Sequence, residues 1–216
     1  MPDLDFRIES AAPIPFAAAP LLGFRVGVTN AAAGESIFSV ALRCQIQIEV
    51  TRRRYTEQDQ GHLRDLFGQP ERWGQTLRNM LWTNVGATVA PFTGSTAVEV
   101  QVPCTFDFNI AATKYFHGIE SGDIPLCFLF SGTVFYDGGD GAAQVAPISW
   151  SKETRFRLPV ETWRAMMETY YPNSAWLCLR KDVFERLYEY KMRQGIPTWE
   201  AALERLLAAG EEKVKA

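Results

Sequence analysis

A long alternation of apolar and polar residues places the strongest constraint on how this chain folds. Between Thr96 and Ile110 every even position from Val98 onward is apolar: Val98, Val100, Val102, Cys104, Phe106, Phe108 and Ile110. This period of two predicts a long strand with one face on the core and the other in water. Such strands are typical of antiparallel sheets, because parallel strands are usually covered on both faces. Pro103 has no N–H to donate, so we expect this strand to lie at a sheet edge or to carry a bulge.

The order of the other segments predicts an α+β fold. We expect a twisted antiparallel sheet with the C-terminal helices packed on one of its faces. Alternation predicts further strands at residues 6–8, 24–28 and 40–50, an aromatic-rich run predicts one at 126–136, and a return strand is expected at 144–158. The prediction is a single domain over residues 1–216, with a mainly helical insertion at 51–95 and a C-terminal helical segment at 159–210.

Apolar residues at helical spacing support these two helical segments. In the insertion, Thr56 suits an N-cap, and Pro70 suits the first turn of a second helix. That second helix would place four apolar residues on one face: Trp73, Leu77, Met80 and Leu81. Near the C-terminus two more apolar stripes predict two helices. They comprise Phe184, Leu187 and Tyr188, then Trp199, Ala202, Leu203 and Leu206.

Charge and hydropathy exclude several classes of partner. The chain has 22 basic and 25 acidic residues and a net charge of -3, which gives no general attraction to nucleic acid. No apolar run is long enough to cross a membrane, and residues 1–9 hold acids and lack a signal-peptide core. The four cysteines are far apart in apolar segments, so we expect buried thiols in a reducing compartment. A cytoplasmic protein that binds neither nucleic acid nor membrane is predicted.

The residues that usually perform chemistry are sparse. The two histidines, His62 and His117, have no cysteine or acid at metal-ligand spacing. Glycine-rich phosphate loops are missing as well. The basic run Arg52–Arg53–Arg54 indicates a solvated loop, with an acidic protein partner as the alternative. Nucleic acid ranks last, since three charges give little affinity for phosphates. We therefore predict no metal, no cofactor and no catalytic residues.

Aromatic residues exceed what the predicted core faces need. The chain holds 6 Trp, 7 Tyr and 14 Phe, and both faces of residues 126–136 are apolar, so a second subunit is one way to cover the outer face. A proline-rich crossover at 11–20 would run extended and leave a groove beside the helices. We predict that this groove binds a partner and is lined by Phe16, Leu21, Trp163 and Tyr170. The alternative is that these four side chains close the core.

Nearly the whole chain resembles an uncharacterised bacterial family, a domain of unknown function seen mostly in actinobacteria. The segments that carry the resemblance are Phe16-Ala-Ala-Ala-Pro-Leu, Leu-Arg-Cys-Gln-Ile from Leu42, Leu-Phe-Gly-Gln-Pro-Glu-Arg-Trp from Leu66, Thr-Lys-Tyr-Phe-His from Thr113 and Leu-Phe-Ser-Gly-Thr-Val-Phe-Tyr from Leu129. Members are often encoded beside nickel–iron hydrogenase genes. The resemblance implies a hydrogenase subunit as the protein partner.

About half of the chain is also similar, in the order of its segments, to the SecB-type export chaperones. Phe6-x-Ile8 followed by the crossover looks like their first strand and crossover, and Tyr170-Tyr171-Pro172 looks like the break between their C-terminal helices. This similarity implies a SecB-like sheet. Residues 51–122 would be an insertion, and the acidic surface of those chaperones is missing.

Together these features favour a non-catalytic protein-binding module, namely an assembly or maturation chaperone for a hydrogenase subunit. One alternative is a structural or homo-oligomeric subunit of a larger complex. Another is an enzyme or small-molecule binder whose site assembles from distant residues. An enclosed pocket that holds His117 with a carboxylate or thiol would favour this last alternative.

Overall fold

The computed structural model describes residues 1–32, 34–139 and 142–215, with side chains described up to residue 211. The chain divides into two compact units, Met1–Ser174 and Ala175–Ala216. The first unit holds every strand described and α1 to α5, and the second holds α6 and α7.

The strands are β1 (Leu4–Pro13), β2 (Leu21–Asn30), β3 (Ser36–Ile48), β4 (Met80–Val89), β5 (Phe92–Thr93), β6 (Ser95–Pro103), β7 (Asp123–Asp137), β8 (Ala143–Pro147) and β9 (Glu153–Pro159). The helices are α1 (Glu57–His62), α2 (Arg64–Phe67), α3 (Trp73–Thr76), α4 (Ile110–Gly118), α5 (Val160–Tyr170), α6 (Lys181–Arg193) and α7 (Trp199–Lys215). Short 3-10 turns cover Val50–Arg52 and Pro70–Arg72.

The α+β class and the antiparallel pairing are confirmed, but the first unit contains two sheets rather than one. One sheet has the order β1-β2-β6. The other has the order β4-β3-β7-β8, with β5 beside β3 and β9 beside β7. All pairings described are antiparallel.

Aromatic side chains join the inner faces of the two sheets. Phe24 of β2 meets Phe128 of β7 with ring centroids 5.1 Å apart, and Phe6 of β1 stacks on Phe130 at 4.4 Å. The inner face of the larger sheet is therefore covered by the smaller sheet. Of the C-terminal helices, α5 lies in the first unit, where it packs against β1, β2 and β9.

The strand predicted from Thr96 to Ile110 is correct only in its first part. Strand β6 ends at Pro103 and lies at the sheet edge. The edge position was expected because Pro103 has no N–H to donate. Asn109 then caps α4 by accepting a hydrogen bond from the Ala112 N–H at 3.0 Å. Because the chain leaves the sheet after Pro103, the alternation of apolar and polar residues beyond this point no longer shows which side chains are buried. Phe108 and Ile110 are exposed, although they were expected in the core.

The insertion at 51–95 is not mainly helical. The Thr56–Asp59 capping box forms as expected, but the helix predicted after Pro70 ends at Thr76. Met80 and Leu81 begin strand β4, which pairs with β3. Pairing with a long neighbouring strand outweighs a helical spacing that continues for only one more turn.

The basic run also differs from its prediction, because Arg53 is not solvated. Its side chain is 10% exposed and lies 3.7 Å from the carboxylate of Asp59, measured from Nη2 to Oδ2. It donates to the carbonyl oxygens of Ser121 and Asp123. Asp59 is fully buried and accepts the Glu120 N–H at 2.9 Å. This arrangement ties the insertion to the loop between α4 and β7.

Three of the four cysteines are buried as expected, and Cys178 is exposed. Burial raises the pKa of Cys44 and of Cys104 to about 12, so both remain protonated thiols at neutral pH. The exposed position of Cys178, just before α6, follows from the scarcity of buried side chains in the second unit.

Candidate functional site

The four residues predicted to line a groove do not form one surface. Trp163 is 2% exposed and stacks on Phe116 in the core, with ring centroids 5.2 Å apart. Leu21 starts β2 opposite Pro103 and is half-buried. Tyr170 donates from its hydroxyl to the Ala17 carbonyl oxygen at 3.0 Å, so it fixes the crossover to α5. Trp163 and Tyr170 thus hold the first unit together.

Phe16 is the member of this set that faces solvent. Its side chain is fully exposed, and its backbone has a φ of 57°. The left-handed conformation costs a residue with a Cβ about 1–2 kcal/mol. An exposed aromatic ring at such a position remains a candidate partner contact, but it has no described neighbour from the predicted set.

The second unit exposes more apolar surface than the crossover does. On α6, Phe184, Tyr188 and Met192 lie within one side of the helix, and on α7 the same holds for Leu203, Leu206 and Leu207. All six side chains are exposed, and Leu207 is 68% exposed. We call these six residues the hairpin face. Trp176 and Leu177, just before α6, are exposed as well.

Aromatic contacts hold α6 and α7 together. Trp199 at the start of α7 lies 5.3 Å from Phe184 and 6.2 Å from Tyr188, between ring centroids. The Lys191 ammonium lies 5.5 Å from the centroid of the Trp199 ring, a cation–π contact. Among the side chains described for this unit, only Ala202 is buried. Two helices alone cannot cover their own apolar stripes, so the hairpin face is suited to a further helix.

The sequence shows both stripes but not their exposure. Apolar residues at i, i+3, i+4 and i+7 share one face of a helix, whether that face is buried in the protein or exposed to solvent. The composition of α6 could have indicated its exposure, since seven of its thirteen residues, Lys181 to Arg193, are charged. A helix with so many charged residues buries little of its surface against its own chain.

A second candidate site is an open pocket of about 420 Å³ in the first unit. It lies between the end of α4 and α5. The residues that line it are Phe106, His117, Glu161, Trp163, Arg164, Ala165, Met167, Glu168, Tyr171 and Ser174. Sequence reasoning did not find this site, because His117 and the two carboxylates come from helices separated by β7, β8 and β9.

Aromatic rings surround the imidazole of His117 in this pocket. Phe106 stacks on it with centroids 5.6 Å apart and an interplanar angle of 6°, and the Trp163 ring meets it edge-on at 4.8 Å. Desolvation lowers the pKa of His117 below its ordinary 6.5, and the nearby Arg164 charge acts in the same direction. His117 is therefore mainly neutral at pH 7, although the residue is exposed at the surface.

Arg164 has a structural role beside the pocket. Its guanidinium donates to the carbonyl oxygens of Ile119 and Glu120, and it lies 3.8 Å from the Glu161 carboxylate. Glu168 accepts the Asn173 N–H at 3.3 Å. The pocket thus combines a neutral imidazole, two carboxylates and several aromatic rings, a set that can bind a small polar molecule.

We expect the imidazole of His117 to titrate with a midpoint below pH 6.5. The folded protein disfavours the protonated form, so stability is lost as the pH falls from 6.5 through this midpoint. Proton NMR of the imidazole signals measures the midpoint directly. The His62→Gln variant removes the other histidine and so assigns the signal. A His117 midpoint at or above 6.5 would contradict the desolvated environment.

No metal site or membrane span is found in the part of the chain that the structure describes. No three side chains of His, Cys, Asp or Glu are grouped closely enough there to hold a metal ion. None of the helices described there is both long and apolar enough to cross a membrane.

Comparison with solved structures gives distant likenesses. The ApaA protein from Bordetella pertussis is 13% identical, with a TM-score of 0.28, over 73% of this chain and 95% of that one. A β-glucosidase from Kluyveromyces marxianus is 10% identical, with a TM-score of 0.24, over 72% of this chain and 15% of the glucosidase. These scores support no inference about fold or function.

Sequence comparison is informative at the level of the family. No curated protein matches the chain. The model of the family of unknown function DUF6084 matches residues 1–215, which is nearly every residue of both units. This chain belongs to that family.

Proposed function

We propose that this protein is a non-catalytic protein-binding module that binds its partner on the hairpin face. The observation that carries the proposal is the exposure of six large apolar side chains on two helices whose described side chains include one buried residue, Ala202. Exposed apolar patches of this kind are typical of protein-binding surfaces. The partner is another protein that supplies an amphipathic helix, which packs between the stripes of α6 and α7.

The energy available on the hairpin face suits a specific contact. Complete burial of a leucine or phenylalanine side chain contributes roughly 1.5–3 kcal/mol. Two or three such residues at the centre of an interface usually supply most of its affinity. The Trp199 ring contacts Phe184, Tyr188 and Lys191, so these side chains are already packed before binding, which lowers the entropy lost on binding.

The partner we propose is a hydrogenase subunit during its assembly or maturation. Support for this identity comes from the resemblance to a family whose members are often encoded beside nickel–iron hydrogenase genes. The free thiols of Cys44, Cys104 and Cys127 suit a cytoplasmic location, which belongs to the same proposal. A chaperone would leave the mature enzyme and a permanent subunit would stay with it, so the composition of the purified hydrogenase distinguishes these two roles.

The Leu207→Glu variant should bind a purified hydrogenase subunit at least about 10-fold more weakly, which corresponds to 1.4 kcal/mol. Leu207 is 68% exposed, so the melting temperature should be nearly unchanged. The Ala208→Glu variant is the matched control, because residue 208 points away from the Leu206 side of α7. Calorimetric titration gives the affinities. Equal binding by both variants, or no binding by the wild type, would overturn the proposal.

Small-molecule binding is a second candidate function, and the pocket at His117 favours it. Glu161 and Glu168 line the same pocket as the neutral imidazole, so His117 and carboxylates meet in one site. The pocket is open, whereas the small-molecule alternative called for an enclosed one. A screen of small polar compounds by the His117 NMR signal tests this candidate independently of the hairpin face.

A further inference from the structure

We propose that strand β8 pairs with β8 of a second copy of this chain, so that the larger sheet continues across a two-fold axis. This contact lies in the first unit and is separate from the hairpin face. The proposal depends on three features of β8: its free backbone groups, its lack of charge and the apolar side chains beside it.

The hydrogen-bond register shows which backbone groups of β8 are free. Ile148 donates to the Gly132 carbonyl at 3.0 Å, and Gly138 donates to the Ala142 carbonyl at 3.1 Å. In an antiparallel pair every second residue bonds to the neighbouring strand. Ala146 and Gln144 therefore bond to β7, whereas the N–H and C=O groups of Val145 and Ala143 point outward. Within the residues described, β7 is the one strand that pairs with β8.

The outer edge of β8 lacks charged residues, one of the usual protections against strand pairing. Its five residues, Ala143 to Pro147, carry no charge. Natural edge strands are commonly protected by lysine or by inward-pointing charges. Here Pro147 offers no N–H at one end of the edge, whereas the residues before it have free backbone groups for pairing. An uncharged edge with free donors and acceptors is suited to another strand.

The side chains on this edge are apolar. Val145 is 61% exposed and pairs with Phe135, which is also exposed on the outer face of the sheet. Phe38 is exposed next to Phe135, in the bulge between Ile37 and Ser39 of β3. A row of apolar side chains therefore ends at the free edge, where none of the strands described lies beside it.

A second copy fits this edge because the edge is complementary to itself. A two-fold axis at Val145 places the two Val145 residues opposite each other, so that each donates its N–H to the other's carbonyl. Ala143 then donates to the Pro147 carbonyl of the other copy, which needs no N–H from proline. The row of side chains becomes continuous across the axis, from Phe135 through both valines to the second Phe135. A shift of two residues would place Val145 opposite Ala143 and lose the valine pair.

The Val145→Lys variant should lose this association, because two ammonium groups would face each other across the axis. Sedimentation velocity over a roughly 100-fold range of concentration measures it. We expect the wild type to form dimers as the concentration rises, and the variant to bind itself at least 10-fold more weakly. Thr88→Lys is the matched control, since Thr88 is exposed on β4 at the other edge of the same sheet.

The Val145→Pro variant tests the backbone separately. It removes the outward N–H and leaves the ladder with β7 intact, so the melting temperature should stay close to that of the wild type. Loss of dimers in both Val145 variants, with Thr88→Lys unaffected, supports the proposal. A wild type that is monomeric at every concentration would overturn it. Dimers that survive Val145→Lys and disappear in Leu207→Glu would also overturn it, because the hairpin face would then be the contact.

Discussion

The Gly132→Ala variant should lose roughly 3–5 kcal/mol of unfolding free energy, an effect at the upper end for a single substitution. Gly132 lies within β7 and has a φ of +140°, a conformation that residues with a Cβ rarely adopt. A Cβ built there would lie 2.1 Å from the carbonyl oxygen of Ala41 in β3. Because that oxygen belongs to the backbone of the paired strand, β3 and β7 would have to separate locally. Urea unfolding followed by circular dichroism measures the loss.

Gly86→Ala is the matched control for this prediction. Gly86 lies in β4 of the same sheet, and a Cβ there would be 3.5 Å from the nearest atom, the Leu42 carbonyl oxygen. That distance is an ordinary contact. This variant should be neutral or gain up to about 1 kcal/mol from the reduced entropy of the unfolded chain. If Gly132→Ala unfolded at the same urea concentration as Gly86→Ala, the close approach of β3 and β7 would be wrong.

Long alternations predicted several strands correctly, because a half-buried strand places apolar residues on its buried face and polar residues on its exposed face, in turn along the sequence. Strand β3 buries Leu42, Cys44 and Ile46 and exposes residues between them, as the period of two requires. Strand β7 alternates only from Phe128 onward, because Ile124 to Phe128 are all buried. The Thr56–Asp59 capping box was also visible, since its two hydrogen bonds depend on residues three positions apart.

Strand β4 could not be predicted because its pattern fits two structures. Trp73, Leu77, Met80 and Leu81 have helical spacing, and the alternation that follows is interrupted by Gly86. What decides its structure is the pairing with β3, a long-range contact that local spacing does not report. The division into two sheets has the same origin, because alternation shows that one face is buried but not which element covers it.

The candidate sites were less predictable than the fold. The stripes on α6 and α7 were correctly placed on helices, yet their spacing is the same in a covered and in an uncovered helix. The pocket at His117 depends on α5 passing beside the end of α4. Trp163 was placed in a binding groove because a large aromatic residue suits both a core and a surface, and the structure buries it.

The Arg53→Met variant should lose roughly 3–5 kcal/mol of unfolding free energy, because it leaves the carboxylate of Asp59 buried without its cation. Asp59 is fully buried, and Arg53 is 10% exposed. The substitution also removes the donors to the Ser121 and Asp123 carbonyl oxygens. Methionine keeps much of the length of the side chain, so the loss reports charge and hydrogen bonds more than volume. Urea unfolding at pH 7 gives the value.

The neighbouring residue Arg54 provides the control, since it is exposed and Arg54→Met should stay within about 0.5 kcal/mol of the wild type. The double variant Arg53→Met with Asp59→Asn separates the ion pair from the rest of the network. A neutral amide can keep its hydrogen bond from the Glu120 N–H and no longer needs a cation, so the double variant should lose less than the sum of the two single losses. Additive losses would show that Arg53 acts through its carbonyl contacts alone. An Arg53→Met variant as stable as Arg54→Met would mean that the pair is hydrated in solution, and the insertion would then be held to the α4–β7 loop by Asp59 and its backbone bonds without help from the arginine.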